Sequence, residues 1–204
     1  MPGIWYPGIT VQKLTRESLY TLEKYAEIRK KMRAQVMEHK KNRQLPIGPH
    51  ATLYFEDNLT MQYQVQEMLR VERIFEADGI QEEIDAYNPL IPDGKNWKAT
   101  FMLEYDDEAE RKQELAKLVN IETLTWVQVD GFERVIPVAD EDLERATDDK
   151  TSSVHFLRFE LSDDMISALK NGASLSAGIS HPSYQHVIDP VPDNIRLSLI
   201  QDLD

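Results

Sequence analysis

Along this chain the spacing of apolar positions changes from a period near 3.6 in the first half to a period of two in the second. Leu19, Leu22, Tyr25, Ala26, Met32 and Val36 fall on one helical face. Thr15 is the expected N-cap of that helix, and Leu14 with Leu19 has the spacing of a hydrophobic staple. The basic run from His39 to Arg43 suits the negative end of the helix dipole, and Pro46 and Pro49 close the element. Thr52, Tyr54 and Glu56 alternate with Leu53 and Phe55, which predicts a strand over 51–56. Asp57 or Asn58 can then cap a second helix reaching about Glu76. Its apolar edge is Met61, Val65, Met68, Leu69 and Phe75. Gly79 is expected to break it, and Gln81–Tyr87 to form a further short helix stopped by Pro89 and Pro92. Asn88, lying before Pro89, is expected outside the α region.

The later pattern is strand-like. Trp97, Ala99, Phe101, Leu103 and Tyr105 alternate with polar or mixed positions, as a strand with one buried face requires. An amphipathic helix follows at 107–119. Thr123–Val129 and Phe132–Val138 flank Asp130-Gly131, a hairpin signal whose register would set Trp126 opposite Val135 and Gln128 opposite Glu133. Beyond an acidic stretch (140–150), residues 153–161 read as a strand with His155, Leu157, Phe159 and Leu161 on its core face. A short helix at 163–170, a strand at 175–179 and a proline-rich loop at 181–193 complete the pattern, with His181 and His186 on the surface of that loop. The class is α+β, with N-terminal helices packed on a mainly antiparallel β-sheet. Residues 1–12 are expected as an extended arm and 13–204 as a single domain.

Composition narrows the chemistry. With no cysteine the chain has no disulfide, thiolate nucleophile or cysteine-held metal cluster. No apolar run approaches the roughly 20 residues that cross a bilayer, and the N-terminus lacks a basic start and an apolar core. A soluble cytoplasmic protein, without membrane attachment, is the expectation. A net charge of −13 argues against nucleic acid as a partner. The charge is uneven: residues 13–43 hold ten Lys/Arg against four acids, an excess of six positive charges on an otherwise acidic chain. Such a run is either a solvated helix face or a docking arm for an acidic partner or a second copy of the chain, making a homo-oligomer.

Signatures for dinucleotides, P-loops, zinc proteases, serine hydrolases and calcium loops are all absent. What remains is a polar constellation between Gly48 and Phe101. Gln62, Gln66, Arg70 and Arg73 form a stripe on the second helix, and Glu67 neighbours Arg70. Arg70, Arg73 and Lys98 could hold a carboxylate or phosphate. Tyr87 and Asn88 could line a pocket mouth beside Trp97, or lock the turn. His50, Glu56, Glu72 and His155, with Glu82 and Asp85 nearby, are the residue types of an iron or manganese site. His155, on an apolar strand face, reads equally as a satisfied core histidine.

The segments LYFEDNLTMQYQVQEMLRVERIFE, IQEEIDAYNPLIPDGKNWKATFMLEY, WVQVDGFERV, DEDLERATDDKTSSVHFLRFEL and ISHPSY resemble an uncharacterised bacterial domain-of-unknown-function family, from about Leu14 to the C-terminus. Genes of that family often lie beside those of a rubrerythrin-like protein and a cysteine-rich iron–sulfur oxidoreductase. The resemblance implies a role near peroxide or iron–redox handling and transfers no catalytic residue. Three functions are compatible with these features. The first is a non-catalytic accessory protein of such a redox system. The second is a metal-dependent or small-ligand enzyme using His50, Glu56, Arg70, Glu72 and His155. The third is an anion-binding sensor using Arg70, Arg73 and Lys98.

Overall fold

The structure is a computed structural model and describes residues 13–141, 145 and 149–204. The expected N-terminal arm, residues 1–12, lies outside the described residues. Among the described residues there are six α-helices and eight strands: α1 (Leu22–Lys40), β1 (Gln44–Ile47), β2 (Ala51–Glu56), α2 (Asn58–Glu72), α3 (Ala77–Tyr87), β3 (Asn96–Leu103), α4 (Glu108–Lys117), β4 (Thr125–Val129), β5 (Val138–Ala139), β6 (Val154–Glu160), α5 (Asp163–Lys170), β7 (Leu175–His181), β8 (Tyr184–Ile188) and α6 (Asp193–Ile200). The fold is α+β, and every strand pair is antiparallel. No helix among the described residues is long and apolar enough to cross a membrane.

Two sheets form, one of five strands in the order β1-β2-β3-β6-β5 and one of three in the order β4-β7-β8. The alternation in β2, β3 and β6 sends Leu53, Phe55, Trp97, Ala99, Phe101, Leu157 and Phe159 to one face of the larger sheet. There they join Val127, Val129, Ala177 and Ile179 of the smaller sheet and the apolar sides of α5 and α6 in one core. The opposite face of the larger sheet carries Tyr54, Glu56, Lys98, Thr100, Phe156 and Arg158, a largely polar set. Helices α1–α3 bury their own apolar residues in two separate clusters, one around Met61, Val65 and Ile84 and one around Tyr25, Val36 and Tyr63.

Local signals and tertiary contacts compete at several places. The first helix does not run on from Thr15. A capping box between Thr15 and Ser18 closes only a 3-10 turn (Arg16–Ser18), and α1 starts afresh behind the Thr21 cap. The break is held by α2, because Gln62 donates to Ser18 O (2.6 Å) and Gln66 pairs with both backbone groups of Tyr20. Asp57 caps α2 as expected, sharing a capping box with Thr60. That helix stops before Glu76, because Arg73 turns left-handed (φ 56°) and Ile74 N closes onto Leu69 O. Gly79 therefore lies inside α3 and breaks nothing. A Cβ there would sit 2.8 Å from the Ile74 side chain, so close packing selects the glycine.

The Asp130-Gly131 turn forms, with Gly131 at φ 85° and Phe132 N bonded to Val129 O. The expected hairpin register is corrected by one residue: Val127, not Trp126, faces Val135 in a single bridge. The slip reflects β7, which pairs all of β4 along its other edge and fixes which face is buried. The 181–193 region, expected as a loop, holds β8 and the start of α6. His181 is buried there, bonded to Ser183 N, and is not a surface residue; His186 is half-buried against Tyr184. Pro46 sits in β1, at a sheet edge where a missing N–H costs little.

Candidate functional site

Two residues of the polar stripe of α2, Gln62 and Gln66, are structural clamps. Gln66 is fully buried on Tyr20, and Gln62 reaches Ser18. Glu67, rather than Gln66, holds Arg70 (3.2 Å). Glu67 also takes a two-pronged bond from Arg29 (2.7 and 2.8 Å) and the Tyr25 hydroxyl (2.5 Å). The Arg29 bonds hold the Glu67 carboxyl down at about 2. Arg73 is exposed at the end of the helix. Trp97 points into the core on the far side of the sheet and donates to Leu199 O (2.9 Å).

The metal-type residues are not gathered. His50 stacks on Tyr105 and bonds Glu104 O; Glu56 accepts from Thr100; Glu72 is exposed. His155 is fully buried on the core face between Asp140 (2.6 Å) and Thr151 (2.8 Å), with Glu122 at 3.8 Å. Among the described residues no group of three or more His, Asp or Glu side chains is arranged to hold a metal ion.

Tyr87 and Lys98, by contrast, do meet. They share a cavity of about 280 Å³ with Ala86, Pro89, Leu90, Glu141, Phe156, Leu157 and Arg158. Its roof is the end of α3 and the following 3-10 turn (Asn88–Leu90); its floor is the polar face of β3 and β6. Asn88 adopts α-region angles (φ −56°, ψ −34°), against the expectation set by Pro89. The reason is tertiary: its side-chain amide pairs with the backbone of Leu14, accepting from N (2.7 Å) and donating to O (3.0 Å). Lys13 Nζ adds bonds to Asn88 O and Ile91 O, both 2.8 Å. Asn88 thus locks the turn, and the locked turn sets Tyr87, Pro89 and Leu90 over the cavity.

The cavity's charges lie on its floor. Lys98 and Arg158 are direct cross-strand neighbours. Arg158 is neutralised: Nε and Nη2 donate to the two oxygens of Glu141, each at 2.7 Å, and Nη1 bonds Glu160. Lys98 is half-buried and has no hydrogen bond or ion pair with any described residue. Burial first, then the adjacent Arg158, lowers its pKa from the usual lysine value, with Glu141 pulling the other way. An unpaired ammonium beside Phe156, Leu90 and Pro89 is costly in the free protein and suits an anionic ligand with an apolar body. A second cavity of about 320 Å³ lies between Gly94, Asp163, Lys170 and Asp204, but Lys95 there is already paired with Asp163 (2.8 Å).

Residue pattern alone points to Tyr87 and Lys98 as site residues but misses Arg158, Glu141 and Phe156. Arg158 and Phe156 are outward positions of a strand whose inward residues are legible; their meeting with Lys98 depends on the β3–β6 register.

Residues 13–203 match the family described as "Protein of unknown function (DUF3501)". A crystal structure of a novel protein of unknown function from Burkholderia pseudomallei is similar to this chain. The two are 51% identical with a TM-score of 0.90, over 95% of this chain and 100% of that one. No curated protein matches.

Proposed function

We propose, on the premise that the chain belongs to the DUF3501 family, that it is a small-ligand-binding protein whose pocket between α3, β3 and β6 receives an organic anion. One observation carries this reading: Lys98 presents a half-buried ammonium to a cavity with apolar walls around its charged floor, and among the described residues it has no counter-charge in direct contact. The anion supplies that counter-charge, and Ala86, Pro89, Leu90 and Phe156 cover the apolar body. A cavity of about 280 Å³ has room for a small organic anion. Of the three cations expected to bind an anion, Arg70, Arg73 and Lys98, only Lys98 contributes.

Binding is tested by calorimetry and thermal shift with short aliphatic and aromatic monocarboxylates against their neutral amides. Selective stabilisation by the acids, abolished in Lys98→Met, supports the reading; equal response to acids and amides sinks it. The accessory role beside a rubrerythrin-like protein or an iron–sulfur oxidoreductase draws its support from the family resemblance, and from the exposed Lys30, Lys31 and Arg33 on α1 as a docking face. Failure of either candidate partner to co-purify at low salt would remove it.

A further inference from the structure

We infer that Glu141 is an internal stand-in for the ligand's carboxylate: its side chain fills the Arg158 arm of the pocket in the free protein, and an incoming carboxylate displaces it to bind across Arg158 and Lys98. This stand-in role rests on the pocket reading above and names its ligand class, a carboxylate on a short apolar body.

The geometry supplies three reasons. First, Glu141 engages Arg158 through the planar fork, with both bonds at 2.7 Å, the arrangement a free carboxylate would adopt on the same guanidinium. Second, the partners differ in burial. The Arg158 side chain is 23% exposed and further held by Glu160, whereas that of Glu141 is 49% exposed. The fork is fixed and the carboxylate on it is replaceable. Third, the backbone before Glu141 is tethered independently. Asp140 bonds His155 Nδ1 (2.6 Å) and Phe156 N (2.9 Å), and β5 pairs Val138 with Arg158. The Glu141 side chain can therefore leave Arg158 while its main chain stays docked. A ligand carboxylate can also bond directly to the ammonium of Lys98, which Glu141 influences only through space and which adjoins Arg158 across the strands.

Displacement makes Glu141 a competitor, so removing its charge must tighten binding. Hexanoate, with hexanamide and inorganic phosphate as controls, is titrated calorimetrically into the full-length wild-type protein, Glu141→Gln and Glu141→Ala. Melting curves verify that each variant folds. In parallel, acetylation of Lys98 by acetic anhydride is followed by mass spectrometry with and without hexanoate. The expected result is that both variants bind hexanoate about tenfold tighter than wild type, as when a competent state rises from a tenth to the whole population. Hexanamide gains nothing, and hexanoate protects Lys98. Equal hexanoate affinity in all three proteins, with Lys98 protected, overturns the stand-in role and leaves the pocket reading intact. No hexanoate binding and no protection of Lys98 overturns both. Tightening for phosphate alone overturns the carboxylate class.

Discussion

Gln66 grips Tyr20 as one strand grips another: its side-chain oxygen accepts from Tyr20 N at 2.6 Å and its amide donates to Tyr20 O at 3.3 Å, with the glutamine fully buried. That contact replaces the helical bonds Tyr20 would otherwise make, and so divides the first helix in two. Gln66→Ala leaves two backbone groups unpaired and is expected to cost about 1–3 kcal/mol. Urea unfolding reads the loss as a lower midpoint at unchanged slope. A Gln66→Ala protein as stable as wild type would show that water satisfies Tyr20 equally well.

Arg43 looks from the sequence like the last solvated lysine-type residue of a basic helix end, yet only 2% of its side chain is exposed. It binds Asp202 (Nη2–Oδ2 2.5 Å) and lies 3.4 Å from Asp57, which His39 also holds. Burial pushes the Asp202 carboxyl up to about 6, with Arg43 pulling it down. Arg43→Met strands that carboxylate and is expected to cost about 3–5 kcal/mol at pH 8. Without Arg43 the Asp202 carboxyl rises above its present value of about 6, so the cost shrinks as pH falls from 8 towards 6 and the variant takes up a proton. Thermal melts of wild type and variant at pH 5 and pH 8 give the comparison; a pH-independent difference contradicts it.

Glu67 acts in a lower pH window. Its folded pKa is depressed to about 2 from 4.5, chiefly by Arg29. Its contribution is therefore complete above about pH 4.5 and is lost as pH falls from there towards 2. Glu67→Gln should lower stability at pH 7 by about 1–2 kcal/mol and flatten this part of the acid limb. Parallel acid limbs in the two proteins would assign the effect elsewhere.

Lys98→Met trades function for stability. It removes a half-buried charge that is unpaired among the described residues and keeps the side chain's length. Unfolding free energy should stay level or rise by about 0–1 kcal/mol while carboxylate binding disappears. A marked loss of stability would mean that Lys98 is a structural ion-pair partner.

The elements with a dominant local cause were legible. Alternation in 96–103 and 154–160 follows from burying one strand face, and Asp57 caps its helix through its own backbone neighbours. β8 and α6 were not, because a short half-exposed strand and a short helix burying only Ile195 and Leu199 give little periodicity. Of the candidate site, the residue types Tyr87, Asn88 and Lys98 stood out as polar groups among apolar ones. Gln66 and Trp97 stood out equally, yet they face Tyr20 and Leu199.

By itself the sequence determined the α+β class, the inward faces of the long strands, and the absence of thiol chemistry, since these depend on residue identity and on neighbours within a few positions. Only the tertiary structure decided that Lys98 stands beside Arg158, that Glu141 occupies the fork, and that Asn88 bonds Leu14 instead of a ligand. Those pairings join residues 17 to 74 positions apart. Strand register and the packing of α3 over the sheet set them, and no local spacing encodes either.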